Sequence, residues 1–237
     1  MIVKRFKVTP CYGFIPRENR MFRDSELFGA GMWKYELLSK VVLWYGTPKS
    51  GDDNIKGKIV LGIQNTYVNI ISKNQTTTEQ NVGDISKEDV EKRELIIKEN
   101  DFINKVYLDF EGAITHLKLM TKNGESVEVG VEKDDTKKTV DINLEKTPHM
   151  VQSFFGYYND FGLRALGLKY ISKKDFILIK LMGIFRLRHL FQIHEEEKKK
   201  WEDPEEQNKL DNELKAVVKV CLLPDKTFAC VLQFCHL

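Results

Sequence analysis

Leu117-Lys118-Leu119-Met120-Thr121-Lys122-Asn123-Gly124-Glu125-Ser126-Val127-Glu128-Val129 alternates apolar and polar side chains on both sides of an Asn-Gly pair. Alternation with a period of two marks a half-buried strand, and Asn-Gly tolerates the positive φ values that a tight turn demands. The segment reads as a β-hairpin. Working outward, the apolar runs Ile103 to Phe110, Ile114 to Met120 and Leu163 to Tyr170 read as successive strands. Leu38 to Gly46, Ile59 to Ile71, Glu94 to Lys98, Val127 to Val131, Thr139 to Leu144 and Met150 to Phe155 extend the series. Short strands at this spacing, with no helix longer than a turn between them, specify an all-β domain of the sandwich, barrel or prism kind.

The chain of 237 residues is long enough for one large β domain with extensions, and 42% hydrophobic with 30% charged residues describes a folding sequence. A formal net charge of +2 gives no bulk attraction to nucleic acid or to a membrane surface, and no nucleic-acid partner is expected. The start, Met1-Ile2-Val3-Lys4-Arg5-Phe6-Lys7, is basic but leads into no apolar run, so a secretory signal is not expected. Phe176 to Phe191 is broken by Lys180, Arg186, Arg188 and His189, too often for a membrane span. The expected location is intracellular: cytoplasmic, or associated with an organelle or the cytoskeleton, and not secreted. Cys11, Cys221, Cys230 and Cys235 all lie outside the β series, which fits a fold that needs no disulfide.

Residues 1–26 carry Pro10, Gly13 and Pro16 without periodicity and read as an extended arm. Lys73 to Lys92 is polar and reads as a surface loop, with a short helical turn at Ser86-Lys87-Glu88-Asp89. After Ser172 apolar residues recur at helical spacing, with Leu178, Leu181, Met182 and Phe185 on one stripe that the β domain or a protein partner must cover. Asp203-Pro204-Glu205-Glu206 is a helix start, with Asp as cap and Pro at the first position, so two helices with a break near Glu202 are expected.

The segments Glu99 to Val106, Gly112 to Gly124, Val151-Gln152-Ser153-Phe154-Phe155-Gly156 and Leu163-Arg164-Ala165-Leu166-Gly167-Leu168 together resemble the jacalin-type lectin domain family. In that family an x-y-I-x-x-V strand, a G-x-I-x-x-L-x-F-x-T-N-x-G hairpin, an I-x-G-F-x-G strand and a closing L-D-A-I-G strand follow in this order. The resemblance runs from Leu27 to Ser172 and implies a β-prism of three Greek-key antiparallel sheets over residues 27–172. An N-terminal arm (1–26) and a helical C-terminal extension with a short apolar tail (173–237) would flank it.

The resemblance also implies where a sugar would sit: between a glycine-rich turn, here Gly29-Ala30-Gly31, and a G-x-x-x-D motif whose Asp accepts hydrogen bonds from sugar hydroxyls. In the closing strand the Asp position holds Arg164, whose guanidinium has donors and no acceptor. Gly156-Tyr157-Tyr158-Asn159-Asp160 has the motif's spacing but lies early for the strand register. Either Asp160 reaches the site, with Tyr157 and Tyr158 stacking on a ring, or the segment is a turn whose tyrosines cap the core edge.

Catalysis has no support: His116, His149, His189, His194 and His236 are scattered, and no phosphate loop, nucleophile elbow or metalloprotease motif occurs. Cys221, Cys230, Cys235 and His236 lack the close cysteine pair of a zinc knuckle and read as buried thiols, so neither metal nor cofactor is expected. The expected function is that of a non-catalytic binding protein, its lectin-like domain an interaction or scaffold module among protein partners in a multi-subunit assembly. The alternative is a working lectin for carbohydrate of the mannose or galactose type.

Overall fold

The protein is described here from a computed structural model covering residues 6–15, 20–26, 36–48, 57–69, 74–79, 81–82, 89–98, 101–130, 138–147, 149–172, 174–175, 185, 188–189, 192–208, 218–219, 221–224 and 227. The chain divides into two compact units, Met1–Phe176 and Ile177–Leu237.

The Asn-Gly hairpin forms as the alternation requires. β10 (Ala113–Thr121) and β11 (Ser126–Val129) pair antiparallel with Lys118 opposite Glu128. Gly124 takes φ +93° in the turn between them, a value that costs glycine nothing. β9 (Ile103–Glu111) and β12 (Lys138–Asn143) complete a sheet in the order β11-β10-β9-β12. The fourth strand thus returns beside the first, which is a Greek key.

A second sheet repeats the pattern. β4 (Glu36–Gly46), β5 (Ile59–Asn69), β6 (Gln75–Thr77) and β8 (Glu91–Ile96) run β6-β5-β4-β8, with β7 (Asn81–Val82) also on β5. The third joins the two ends of the unit: β1 (Phe6–Val8), β14 (Gly162–Ser172), β13 (His149–Asn159) and β3 (Arg20–Arg23) in that order, with β2 (Tyr12–Gly13) also on β14. Taken cyclically as β13, β14, β1 and β3, this sheet is the same Greek key, opened between its second and third strands.

The three antiparallel sheets form a β-prism because their inner faces meet in one cluster. Val41 and Leu43 come from the second sheet, Val106, Leu108 and Leu117 from the first, and Phe154, Leu166 and Leu168 from the third. Closure bends the strands at bulges. Register shifts leave one extra residue at Ser39, Leu61, Asn104, Thr115, Gln152 and Arg164.

Two readings are corrected. The arm over residues 1–26 contributes β1, β2 and β3 to the third sheet, since their partners lie at the far end of the β series. The loop Lys73 to Lys92 contains β6, β7 and the start of β8, and Ser86-Lys87-Glu88 falls outside the described residues. In the helical unit, α1 (Glu195–Glu202) ends before α2 (Pro204–Asn208), and the side chain of Asp203 accepts the Glu205 N–H at 2.8 Å. That is the expected cap.

Gly156 of β13 lies between Leu166 of β14 and Phe22 of β3, and both strands crowd it. A Cβ there would lie 2.2 Å from the Ala165 carbonyl oxygen and 2.9 Å from the Phe22 ring. Gly156→Ala is expected to cost about 1–3 kcal/mol, lowering Tm by several degrees in a thermal melt. Adding Phe22→Leu should not restore it, because the nearer obstacle is backbone.

Candidate functional site

Of the residues singled out for a sugar, Gly156, Tyr157, Tyr158, Asp160 and Arg164 all belong to the β13–β14 hairpin. Asn159 closes the turn with its side-chain oxygen, which accepts the N–H groups of Phe161 at 3.0 Å and Gly162 at 3.3 Å. Asp160 at the tip is exposed and pairs with Arg20 of β3 at 3.2 Å. The two side chains are 73% and 65% exposed, so the pair contributes little to stability.

Tyr157 and Tyr158 are both half-buried. Tyr158 packs on the core and meets Phe22 edge to face at 6.3 Å, while Tyr157 lies opposite Met21 and Ala165. Tyr158 therefore caps the core edge. Gly156 serves the close strand approach described above, and Gly29 and Gly31 fall outside the described residues.

Arg164 is the extra residue of the bulge facing Tyr157 and Tyr158. The irregularity ends the simple alternation along β14, and every residue from Gly162 to Leu168 is buried. Arg164 itself is only 2% exposed, with its guanidinium carbon 5.7 Å from the centre of the Phe14 ring. Its backbone carbonyl accepts the Phe14 N–H at 3.0 Å. The position that the lectin motif gives to an acceptor thus holds a buried cation roofed by an aromatic ring.

Of the helical stripe, Leu178, Leu181 and Met182 lie outside the described residues, and Phe185 is 44% exposed. Cys230, Cys235 and His236 also lie outside them; Cys221 is buried, and burial pushes its thiol up to about 11. Arg188 donates to the carbonyls of Cys221 at 3.1 Å and Leu223 at 2.6 Å, satisfying groups at a helix end. Among the described residues no helix is long and apolar enough to cross a membrane, and no three His, Cys, Asp or Glu side chains form a metal-binding group.

Two buried polar clusters were not anticipated. Asp24, in the turn after β3, accepts hydrogen bonds from the Tyr67 hydroxyl, Asn65 Nδ2 at 2.8 Å and the Phe154 N–H at 3.3 Å, tying the second sheet to the third. Nothing in its local sequence marks it, because its partners lie far along the chain. In the first sheet His116 Nδ1 faces Asp109 at 3.3 Å, Nε2 faces Glu128 at 3.0 Å, and Lys118 reaches Glu128 at 2.7 Å. The Lys118 ammonium, ahead of the His116 contact, holds the Glu128 carboxyl below its ordinary range. This cluster had a usable signal: the Asn-Gly register alone sets Lys118 opposite Glu128.

No protein-family model and no curated protein matches the chain. Among solved structures, Calystegia sepium agglutinin matches with a TM-score of 0.50 at 11% identity, over 70% of this chain and 97% of that protein. AcmJRL, a mannose-binding jacalin-related lectin from Ananas comosus, gives 0.48 at 12% identity over 70% and 98%, and Malaysian banana lectin 0.48 at 14% over 70% and 99%. The likeness is one of fold. The chain has the jacalin-like lectin fold.

Burial raises the Asp24 carboxyl from 3.8 to about 6, against the opposing pull of its three donors. The folded protein then holds this proton more tightly than the unfolded chain, so the group's contribution to stability falls as pH rises from about 4 to 6 and is flat above. The difference is on the order of 3 kcal/mol. Asp24→Asn keeps an acceptor for the three donors. Denaturant titrations from pH 4 to 7 should show its stability gaining on the parent protein as pH rises through this window, whereas a constant offset would refute the assignment.

Proposed function

We propose that this chain is a non-catalytic binding protein in which the jacalin-like prism serves as an interaction module among protein partners in a larger assembly. The observation that carries this reading is Arg164: a buried guanidinium under Phe14 has no acceptor to offer a sugar hydroxyl and no exposed surface from which to offer it. The neighbouring turn supports it, since Asn159 already engages the Phe161 and Gly162 N–H groups. The helical unit supports it too. Calystegia sepium agglutinin is matched over 97% of its length by 70% of this chain, so residues beyond the prism are an addition to the lectin fold.

A second reading rests on Asp160, whose exposed carboxylate beside half-buried Tyr157 offers an acceptor and a ring at one edge. On that reading the chain binds carbohydrate, as the mannose-binding lectin from Ananas comosus does.

Titration calorimetry separates the two. The interaction-module reading expects mannose and galactose to bind no tighter than about 1 mM, roughly 4 kcal/mol, and Asp160→Asn to change nothing. Affinity purification from native cells should return a fixed set of proteins that free sugar does not release. Micromolar sugar binding lost in Asp160→Asn, with glycoproteins released by free sugar, would establish the lectin instead.

A further inference from the structure

The tip of the β10–β11 hairpin carries the only Asn-Gly pair of the chain, Asn123-Gly124. Two bonds close this short loop: the Gly124 N–H donates to the Thr121 carbonyl at 3.1 Å and the Thr121 N–H to the Glu125 carbonyl at 2.8 Å. Every residue from Lys122 to Ser126 is exposed. A Cβ on Gly124 would meet nothing within 4 Å, so the flank of its backbone nitrogen is open. Among the described residues, no hydrogen bond holds the side-chain amide of Asn123.

Other asparagines are shielded or tied. Asn65, Asn69 and Asn104 are buried. The side-chain oxygen of Asn143 accepts the Glu145 N–H at 2.9 Å, and that of Asn159 accepts those of Phe161 at 3.0 Å and Gly162 at 3.3 Å. Each of these five is followed by a residue whose side chain crowds its own nitrogen, whereas Asn123 combines exposure, an untied amide and a following glycine.

We infer that Asn123 is a site of spontaneous deamidation through a cyclic imide, with water as the co-reactant. Opening of the exposed tip frees the Gly124 nitrogen from Thr121. Having given its proton to hydroxide, that nitrogen attacks Asn123 Cγ; the new N–C bond closes a succinimide, the bond from Cγ to the amide nitrogen breaks, and ammonia leaves after taking a proton from water. Water then adds to one ring carbonyl and breaks its bond to the Gly124 nitrogen, which keeps the other carbonyl and regains its proton. Opening at Cγ gives aspartate; opening at the main-chain carbonyl gives isoaspartate, with the backbone rerouted through Cβ. Isoaspartate lengthens the main chain by one methylene inside the loop that sets Lys118 opposite Glu128. Aspartate instead adds a carboxylate to a residue whose N–H is already bonded to the Asp101 carboxylate at 3.3 Å. β11 is an edge strand whose Glu128 carbonyl accepts from Arg93 of β8 at 2.9 Å, so a change of register there reaches the tie between the first and second sheets. The site uses none of the residues weighed for sugar or partner binding and stands or falls independently of the proposed function.

The test ages the whole folded chain at body temperature in mildly alkaline buffer made with water enriched in heavy oxygen, then follows its peptides by mass spectrometry. Asn123 should convert several-fold faster than any other asparagine, each converted residue carrying one heavy oxygen, with isoaspartate in excess over aspartate. Asn123→Gln, whose imide ring is larger and closes far more slowly, should remove the signal; the measurement on the parent chain stands whether or not this variant folds. The isoaspartate form, separated by chromatography, should melt several degrees below the fresh protein and exchange the Val127 and Val129 amide hydrogens faster. Survival of Asn123 while other asparagines convert, or conversion to aspartate alone, would overturn the site. Unchanged melting and exchange in the isolated isoaspartate form would overturn its effect on register.

Discussion

Everything in the β unit follows from one requirement: three twisted sheets must share a single apolar core. Twisted strands do not close around a common centre unless they bend, and the bends are the six bulges. Five of the six extra residues are polar: Ser39, Asn104, Thr115, Gln152 and Arg164. The pattern has a local cause, because a bulge interrupts the ladder and sets backbone groups within reach of the extra side chain. Ser39 reaches the Thr66 carbonyl at 3.0 Å, Thr115 the Asp109 carbonyl at 3.3 Å and Gln152 the Glu36 carbonyl at 3.3 Å.

The candidate site and the buried polar side chains grow out of the same requirement. Arg164 is buried because it occupies a bulge in β14, and Asn104 is buried because it occupies one in β9. Hydrophobic contact brings the sheets together without fixing their rotation about one another. The three donors converging on Asp24 do fix it, since they come from two sheets and must meet one oxygen.

Legibility in the sequence tracks how local each cause is. The Asn123-Gly124 hairpin could be read from thirteen residues because both strands and their turn lie in one window, and the Asp203 cap because it acts on a residue two positions away. β1, β2 and β3 could not. Each is two to four residues long, lies among prolines and glycines, and is a strand only because β13 and β14 present an open edge. The absence of the motif carboxylate at position 164 was visible; the burial of its replacement was not, because a bulge is a property of two strands in register. Asp24 is the extreme case, a single acid given meaning by residues 41 to 130 positions away.

The third sheet, made from both ends of the unit, also orders events in time. Thr9 and Leu168, bonded across β1 and β14, are 159 residues apart in the chain. During synthesis at about 5–20 residues per second, β1 leaves the ribosome roughly 8–30 s before its partner. Both Greek keys formed by contiguous strands can pair in that interval, while β1, β2 and β3 wait for the partners that β13 and β14 supply. Whatever shields these three strands during that wait governs the yield of native protein.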